Sequence, residues 1–338
     1  MSSGVPTDLI ELPDAPAIAG LTFRACRGEA DYAHVADVMN ACREADGSET
    51  IVTREDMTNR FIHLEYFVPA KDLIFAEMNG QPIGYTRLLV RQLDGGKWVY
   101  TNIGSVLPKW RRRGIGRALH HYGERRLREK AAELGQAGVR VLQSVALKTE
   151  YGRHALLQQE GYRPVRYGFE MERSLAEPIP DLSLPAGIKV RPVLPDQYEQ
   201  LRNAMNEAFR DHWGWSAMTE KDFQAWQKNR NFQPHLWQVG WAGDEIAGTV
   251  LNFIDAESNA KFQRSRGWTE TICVRLPWRK QGLAKALIAR SMRLLQEQGM
   301  TAVALHVDTQ NPSGALKLYE SMGYRAVREL TTYEKPMD

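Results

Sequence analysis

The chain has 338 residues, 43% of them hydrophobic and 25% charged, which supplies apolar mass for two cores and excludes a largely disordered or fibrous protein. Its 44 basic and 41 acidic side chains leave a net charge of +3, too small a bias to point to nucleic acid as a partner. Cys26, Cys42 and Cys273 form no C-x-x-C pair and no zinc-ligand spacing, which fits a reducing, cytoplasmic compartment and gives no metal site.

Residues 1–20 carry three prolines and scattered acids and are expected to form an extended arm. No basic-then-apolar leader opens the chain, and no run of about 18 apolar residues follows, so neither export nor a membrane span is expected. A short strand (LTFRA) and an amphipathic helix (YAHVADVMNACREA) come next. LIFAEMNGQPIGYTRLLV reads as a hairpin turning at Asn79-Gly80, followed by a strand, WVYTNIGSV. A basic segment then runs into a helix, another strand (VRVLQSVAL) and a Gly-Tyr pair at Gly161-Tyr162. The three prolines of residues 174–187 mark a semi-rigid linker.

After the linker the pattern starts again. VLPKWRRRGIGRAL begins at Val106 and VRLPWRKQGLAKAL at Val274, 168 residues later, while Gly161 and Gly323 stand 162 apart. A second hairpin turns near Gly243-Asp244, and a second strand, WTETICV, runs into the second basic segment. A duplicated α/β domain, with copies over 21–173 and 188–338, accounts for nearly everything after the arm.

Each basic segment lies between a strand and a helix. Free backbone N–H groups at a helix start favour a phosphate, and small residues keep side chains clear of it. The second copy supplies Arg279, Lys280, Gln281, Gly282, Leu283 and Ala284; the first supplies Arg111, Arg112, Arg113, Gly114, Ile115 and Gly116. Leu119 replaces the third glycine of a dinucleotide fingerprint, and no G-x-x-x-x-G-K-[ST] occurs.

This arrangement, [QR]-x-x-G-x-[GA] after a strand ending in valine, then a downstream Asn and Tyr before Gly-Tyr, resembles the GNAT family of acyl-CoA-dependent N-acetyltransferases. Its two-copy order is similar to that of the tandem mycothiol synthase group. The resemblance implies two α/β domains, each an α+β mixed sheet. It also implies that the basic loops cradle the pyrophosphate of coenzyme A, and that pantetheine pairs with a splayed strand at Val106 in one copy and at Cys273 and Val274 in the other. Acetyl-CoA is the cofactor so implied, and a small-molecule amine the acceptor.

Acetylation of an amine by a thioester needs an acid for the departing thiolate, a base for the ammonium and an oxyanion donor. The resemblance makes Tyr319 the acid, against the alternative of a core aromatic. Asn311 either contacts pantetheine or caps the helix beside Pro312. Glu270 lies four residues before Val274, so strict alternation places it on that valine's face as a base acting through water, or else as a solvated strand residue. The backbone near Val274 is the expected oxyanion donor. Cys273 has no basic neighbour in sequence, so direct transfer is expected rather than a covalent intermediate. Among the aromatics, His212, Trp213 and Trp215, beside Asp211, are the candidates for the acceptor pocket.

By the same offsets Tyr319 falls on Leu157, Asn311 on Thr149 and Glu270 on Asn102. One catalytic and one degenerate copy are therefore expected. The alternative from another class is a non-catalytic acyl-CoA-binding or sensing protein, which has no use for an acid beside the thiol.

Overall fold

The computed structural model describes residues 8–337. In chain order the elements are β1 (Leu21–Ala25), α1 (Tyr32–Ala45), α2 (Arg54–Ile62), α3 (Pro69–Asp72), β2 (Leu73–Met78), β3 (Gln81–Gln92), β4 (Trp98–Val106), α4 (Ile115–Leu134), β5 (Arg140–Leu147), α5 (Tyr151–Gln159) and β6 (Arg163–Ser174). There follow β7 (Ile188–Val190), α6 (Tyr198–Phe209), α7 (Glu220–Gln227), β8 (Gln238–Ala242), β9 (Glu245–Ile254), α8 (Ala256–Lys261), β10 (Arg266–Val274), α9 (Leu283–Glu297), β11 (Ala302–Asp308), α10 (Ala315–Ser321) and β12 (Arg325–Pro336). The mixed α/β class and the repeat of elements are as the sequence implies.

Two compact units result: Met1–Val165 with Thr331–Asp338, and Arg166–Leu330. Their edges differ from the linear halves of the sequence reading. In unit 1 the strands run β1-β2-β3-β4-β5-β12, and in unit 2 they run β6-β11-β10-β9-β8-β7. β6, which but for Ser174 lies within the bounds 21–173 read for the first copy, pairs antiparallel with β11 of unit 2 from Gly168 to Ser174. The end of β12 closes unit 1, where Tyr333 and Met337 join the core of Trp98, Leu142 and Leu157. Glu334 there accepts from Lys97, at 2.7 Å, and from Gln143.

Both hairpins form where turn chemistry puts them: Asn79 and Gly80 take φ of +50° and +79°, and Gly243 takes +59°. In each unit a long helix, α4 or α9, fills one face of the sheet together with the short α5 or α10, and α1 with α2, or α6 with α7, covers the other. Leu283, Leu287, Met292 and Leu295 of α9 are fully buried with Val303 and Leu305 of β11. Residues 174–187 are no free spacer: Leu175, Ile179, Leu182 and Leu184 pack into that same core, and Arg293 donates to Pro180 O.

Of the expected arm, residues 1–7 lie outside the described residues. The rest is pinned to unit 1, with Ile10 N donating to Phe23 O, Ala25 N to Asp8 O, and Leu12 buried against Ile115 and Leu119. No helix among the described residues is long and apolar enough to cross a membrane.

Candidate active site

The repeated basic segment is a repeat of backbone shape. Lys280 and Gly282 take φ of +60° and +86°, and Arg112 and Gly114 take +61° and +85°. A left-handed residue twice in three positions turns the chain abruptly into the helix, so the first N–H groups of α9 and α4 point out of the loop. At Gly282 nothing lies within 4 Å of where a Cβ would stand, which leaves the helix start open to an anion. The arginine of each loop has a different task from the one its charge suggested. Arg279 donates to Val274 O (2.9 Å) and Ala208 O (2.9 Å), and Arg111 to Val106 O (3.0 Å) and both carboxylate oxygens of Asp46. Each latches its loop to the strand end, while Lys280 remains exposed and Gln281 donates to Pro277 O.

β10 carries a bulge that its counterpart lacks. Val274 and Cys273 face Gly248 and Thr249 on β9, but the next pair is Glu270 with Leu251, so three steps on β10 match two on β9. Thr271, inside the bulge, takes φ of +48°. In unit 1, β3 and β4 pair without interruption from Gly84–Val106 to Gln92–Trp98. One extra residue inverts the alternation. Glu270 therefore shares a face with Leu251 and Cys273, the face covered by α6 and α7, and not with Val274, which packs toward α9. The strict-alternation reading of the sequence is corrected on this point. The register also makes Ile103 rather than Asn102 the positional counterpart of Glu270, since Arg87, the equivalent of Leu251, pairs with Ile103.

A cavity of about 1220 Å³ opens in unit 2 between α6, β10, β11, α9 and α10. It brings together Glu270, Cys273, Val274, Arg279, Lys280, Gly282, Leu283, Ala284, Asn311 and Tyr319. Tyr319 is 93% buried by surface area, its relative exposure being 7%, and its ring meets Tyr324 edge-on at 6.1 Å. Burial, reinforced by the Glu270 charge, holds its phenol well above the ordinary value, so it stays protonated across the neutral range. Asn311 Oδ1 accepts from Ser313 N at 2.9 Å, shaping the turn ahead of α10.

Glu270 has a partner that the sequence did not single out. Its Oε1 accepts from His306 N (3.0 Å) and lies 2.7 Å from His306 Nδ1. The His306 ring stacks on Trp268 at 5.0 Å. Burial disfavours protonation of this imidazole, but the Glu270 carboxylate outweighs it and holds the pKa above the usual value. A histidine breaking the apolar run AVALHV was the available signal. Cys273 is unsuited to nucleophilic attack, since burial pushes its thiol up to about 11.

On the acceptor side, Asp211, His212 and Trp215 line the cavity with Met205, Phe209 and Met218. Trp215 stacks on Phe209 at 5.0 Å. Trp213, expected beside them, is not in the lining. Trp215 N closes a turn onto His212 O, with Gly214 at φ +70°, and the Trp213 ring lies instead under the Arg166 guanidinium at 5.3 Å.

The equivalent tract of unit 1 is filled by its own side chains. The ring of Pro16 lies over Gly114, 3.4 Å from where a Cβ would stand. Arg153 donates to Gly104 O on β4 (2.6 Å) and Ser144 Oγ on β5 (3.2 Å), across the gap that stays open between β10 and β11. Leu157 is buried in the core, and Thr149 donates to Asp46 O.

The sequence model of the acetyltransferase (GNAT) family matches twice, over residues 37–148 and 198–324. Among curated proteins, a mycothiol acetyltransferase of Salinispora tropica is 28% identical, over 87% of this chain and 90% of its own length. One of Thermomonospora curvata is 31% identical over 68% and 72%. Among solved structures, a GCN5-related N-acetyltransferase from Sphaerobacter thermophilus superposes with a TM-score of 0.71 at 25% identity, covering 94% of this chain and 96% of that one. A tandem GNAT protein from the clavulanic acid biosynthesis pathway shares the fold, with a TM-score of 0.67 at 16% identity over 94% and 98%.

Proposed function

The chain belongs to the GNAT acetyltransferase family as a tandem N-acetyltransferase, and from that premise we propose that unit 2 performs acetyl-CoA-dependent transfer to a small-molecule amine, with unit 1 as a degenerate scaffold. The observation that carries this reading is that an open left-handed glycine loop, Tyr319 and Glu270 share one cavity in unit 2, while the same places in unit 1 hold Pro16 over Gly114, Leu157 and Ile103.

The donor set fits coenzyme A. The N–H groups following Gly282 and the ammonium of Lys280 would hold the pyrophosphate, and the bulged end of β10 at Cys273 and Val274 would take pantetheine, with Asn311 shaping the opposite wall. When bound, the cofactor supplies the thioester. Glu270 draws the proton from the incoming ammonium through water, and His306 aligns the carboxylate by holding Oε1 from the backbone and the ring. The amine then attacks the carbonyl directly, and Tyr319 delivers a proton to the departing sulfur. Asp211, His212 and Trp215 form the acceptor wall, whose acid and aromatic ring suit a cationic amine. A mycothiol-related acceptor follows from the names of the relatives; the cavity itself supports a small amine.

Thiol release from acetyl-CoA, followed against a panel of small amines that includes mycothiol-type acceptors, tests this reading. Amine-dependent turnover in the wild type, lost in Glu270→Gln, is expected. Cofactor binding without turnover on any amine would favour a sensing role instead.

A further inference from the structure

Unit 1 carries a buried positive charge that has no carboxylate partner among the described residues. Arg87 stands on β3, between Leu73 of β2 and Ile103 of β4, and is 4% exposed. Its Nε and Nη1 are out of contact with solvent and have no hydrogen-bond partner. The other arginines buried to this degree each hold a carboxylate or carbonyl, although Arg266 Nε and Nη2 and Arg173 Nε are themselves unbonded. Arg24 bonds Asp31 and Glu77, Arg266 bonds Glu170 and Glu172, and Arg173 bonds Pro178 O. Arg87 has only the Phe61 ring, 5.9 Å from its guanidinium carbon.

Its electrostatic neighbours deepen the imbalance. Burial and the charges of Arg60, Arg43 and Arg153 push the guanidinium down to about 10, with the Tyr85 phenol alone acting the other way among the main influences. Arg43 is acted on by Asp56, a carboxylate that caps α2 by accepting from Thr53 N at 2.9 Å. Tyr85, two residues from Arg87 and so on the same face, is fully buried with its hydroxyl unpartnered. In unit 2 the position of Arg87 is Leu251, an ordinary core residue. A guanidinium in place of leucine in mid-sheet is costly unless something neutralises it, and a planar fork of N–H donors matches an oxyanion best.

We propose that unit 1 binds a small oxyanion, a carboxylate or phosphate group, between Arg87 and the hydroxyl of Tyr85, with Arg43 and Arg60 adding positive potential. The site occupies the sheet face that in unit 2 bears Glu270, and the corresponding cross-strand pair carries its charge on opposite strands, Arg87 beside Ile103 in one copy and Glu270 beside Leu251 in the other: one suited to an anion, the other to an ammonium. It does not depend on acetyl transfer in unit 2.

The test uses the full chain carrying Gly282→Val, which keeps phosphate off the second loop, exchanged into a chloride buffer free of oxyanions. Thermal melting and calorimetry are recorded with inorganic phosphate, acetate and citrate, against sodium chloride at matched ionic strength. A saturable rise in melting temperature is expected with phosphate or with the carboxylates, and which of them saturates identifies the group. Arg87→Leu is expected to abolish that response. If Arg87→Leu does not fold, Arg60→Gln, on the exposed side of α2, must weaken the response at least about threefold in apparent Kd. No response beyond matched chloride, or an unchanged response in whichever of these variants folds, overturns the proposal.

Discussion

Arg153 Nη1 donates to Gly104 O at 2.6 Å, and the residue at the corresponding place in unit 2, when Gly161 is set on Gly323, is Ala315. A guanidinium therefore bridges the strands in one copy where the other leaves room. Calorimetry with acetyl-CoA is expected to report a single site, lost in Gly282→Val. Valine at a φ of +86° costs about 1–2 kcal/mol of backbone strain, too little to unfold the unit but enough to disturb the N–H cradle. A second site that survives Gly282→Val would place cofactor in unit 1 and overturn the scaffold assignment.

Tyr319→Phe removes the hydroxyl proposed as the acid and leaves the ring in the core. Turnover is expected to fall at least about tenfold with acetyl-CoA affinity nearly intact. A parallel loss of affinity and turnover, measured by calorimetry beside steady-state kinetics, would mean that the hydroxyl binds cofactor instead.

The Glu270–His306 pair gives a prediction about pH. Because the folded pKa of His306 is raised, the protonated pair persists below the ordinary value of 6.5 and is lost as pH rises through the raised one. Histidine NMR is expected to show His306 titrating above 6.5 in the wild type and at lower pH in Glu270→Gln, where the carboxylate beside the ring is gone. The acid limb of the rate profile should follow the same titration, since the neutral imidazole leaves the carboxylate free to accept a proton. An unchanged His306 titration in Glu270→Gln would remove the pairing from the mechanism.

Stability of unit 1 rests on Asp72. Fully buried, it accepts from Lys130, from Arg126 at 3.3 Å and from Val68 N at 2.7 Å. Asp72→Asn keeps the shape but takes the carboxylate from the buried Lys130 ammonium, while Arg126 keeps Glu133 at 2.8 Å, and is expected to cost about 3–5 kcal/mol. Denaturant unfolding should show this loss in unit 1, and the tryptophan-rich unit 2 supplies an internal reference.

Most of this architecture could be read from the residues themselves. The twin loops, the hairpin turns at Asn79-Gly80 and Gly243, and the sites of Tyr319 and Asn311 rest on local signals, and glycine at a left-handed position leaves a mark in sequence. What escaped was non-local. The bulge at Thr271 shifts Glu270 to the other face, yet WTETICV looks like any alternating strand. His306 entered the site through cross-strand pairing, and Trp213 left it through a cation–π contact with Arg166, 47 residues away. The exchange of β6 and β12 was hidden for the same reason, because both strands follow a Gly-Tyr pair and open on R-x-V-R, and which sheet edge each joins is decided by long-range pairing.

That exchange reverses the order in which the molecule is completed. Arg166–Leu330 is an uninterrupted stretch, whereas the edge of β5 has no neighbour until Thr331–Pro336 has been made. At about 5–20 residues per second, the earlier half waits on the order of ten to thirty seconds on the ribosome with an unpaired strand, the state most exposed to wrong partners. The half synthesised last is the half finished first.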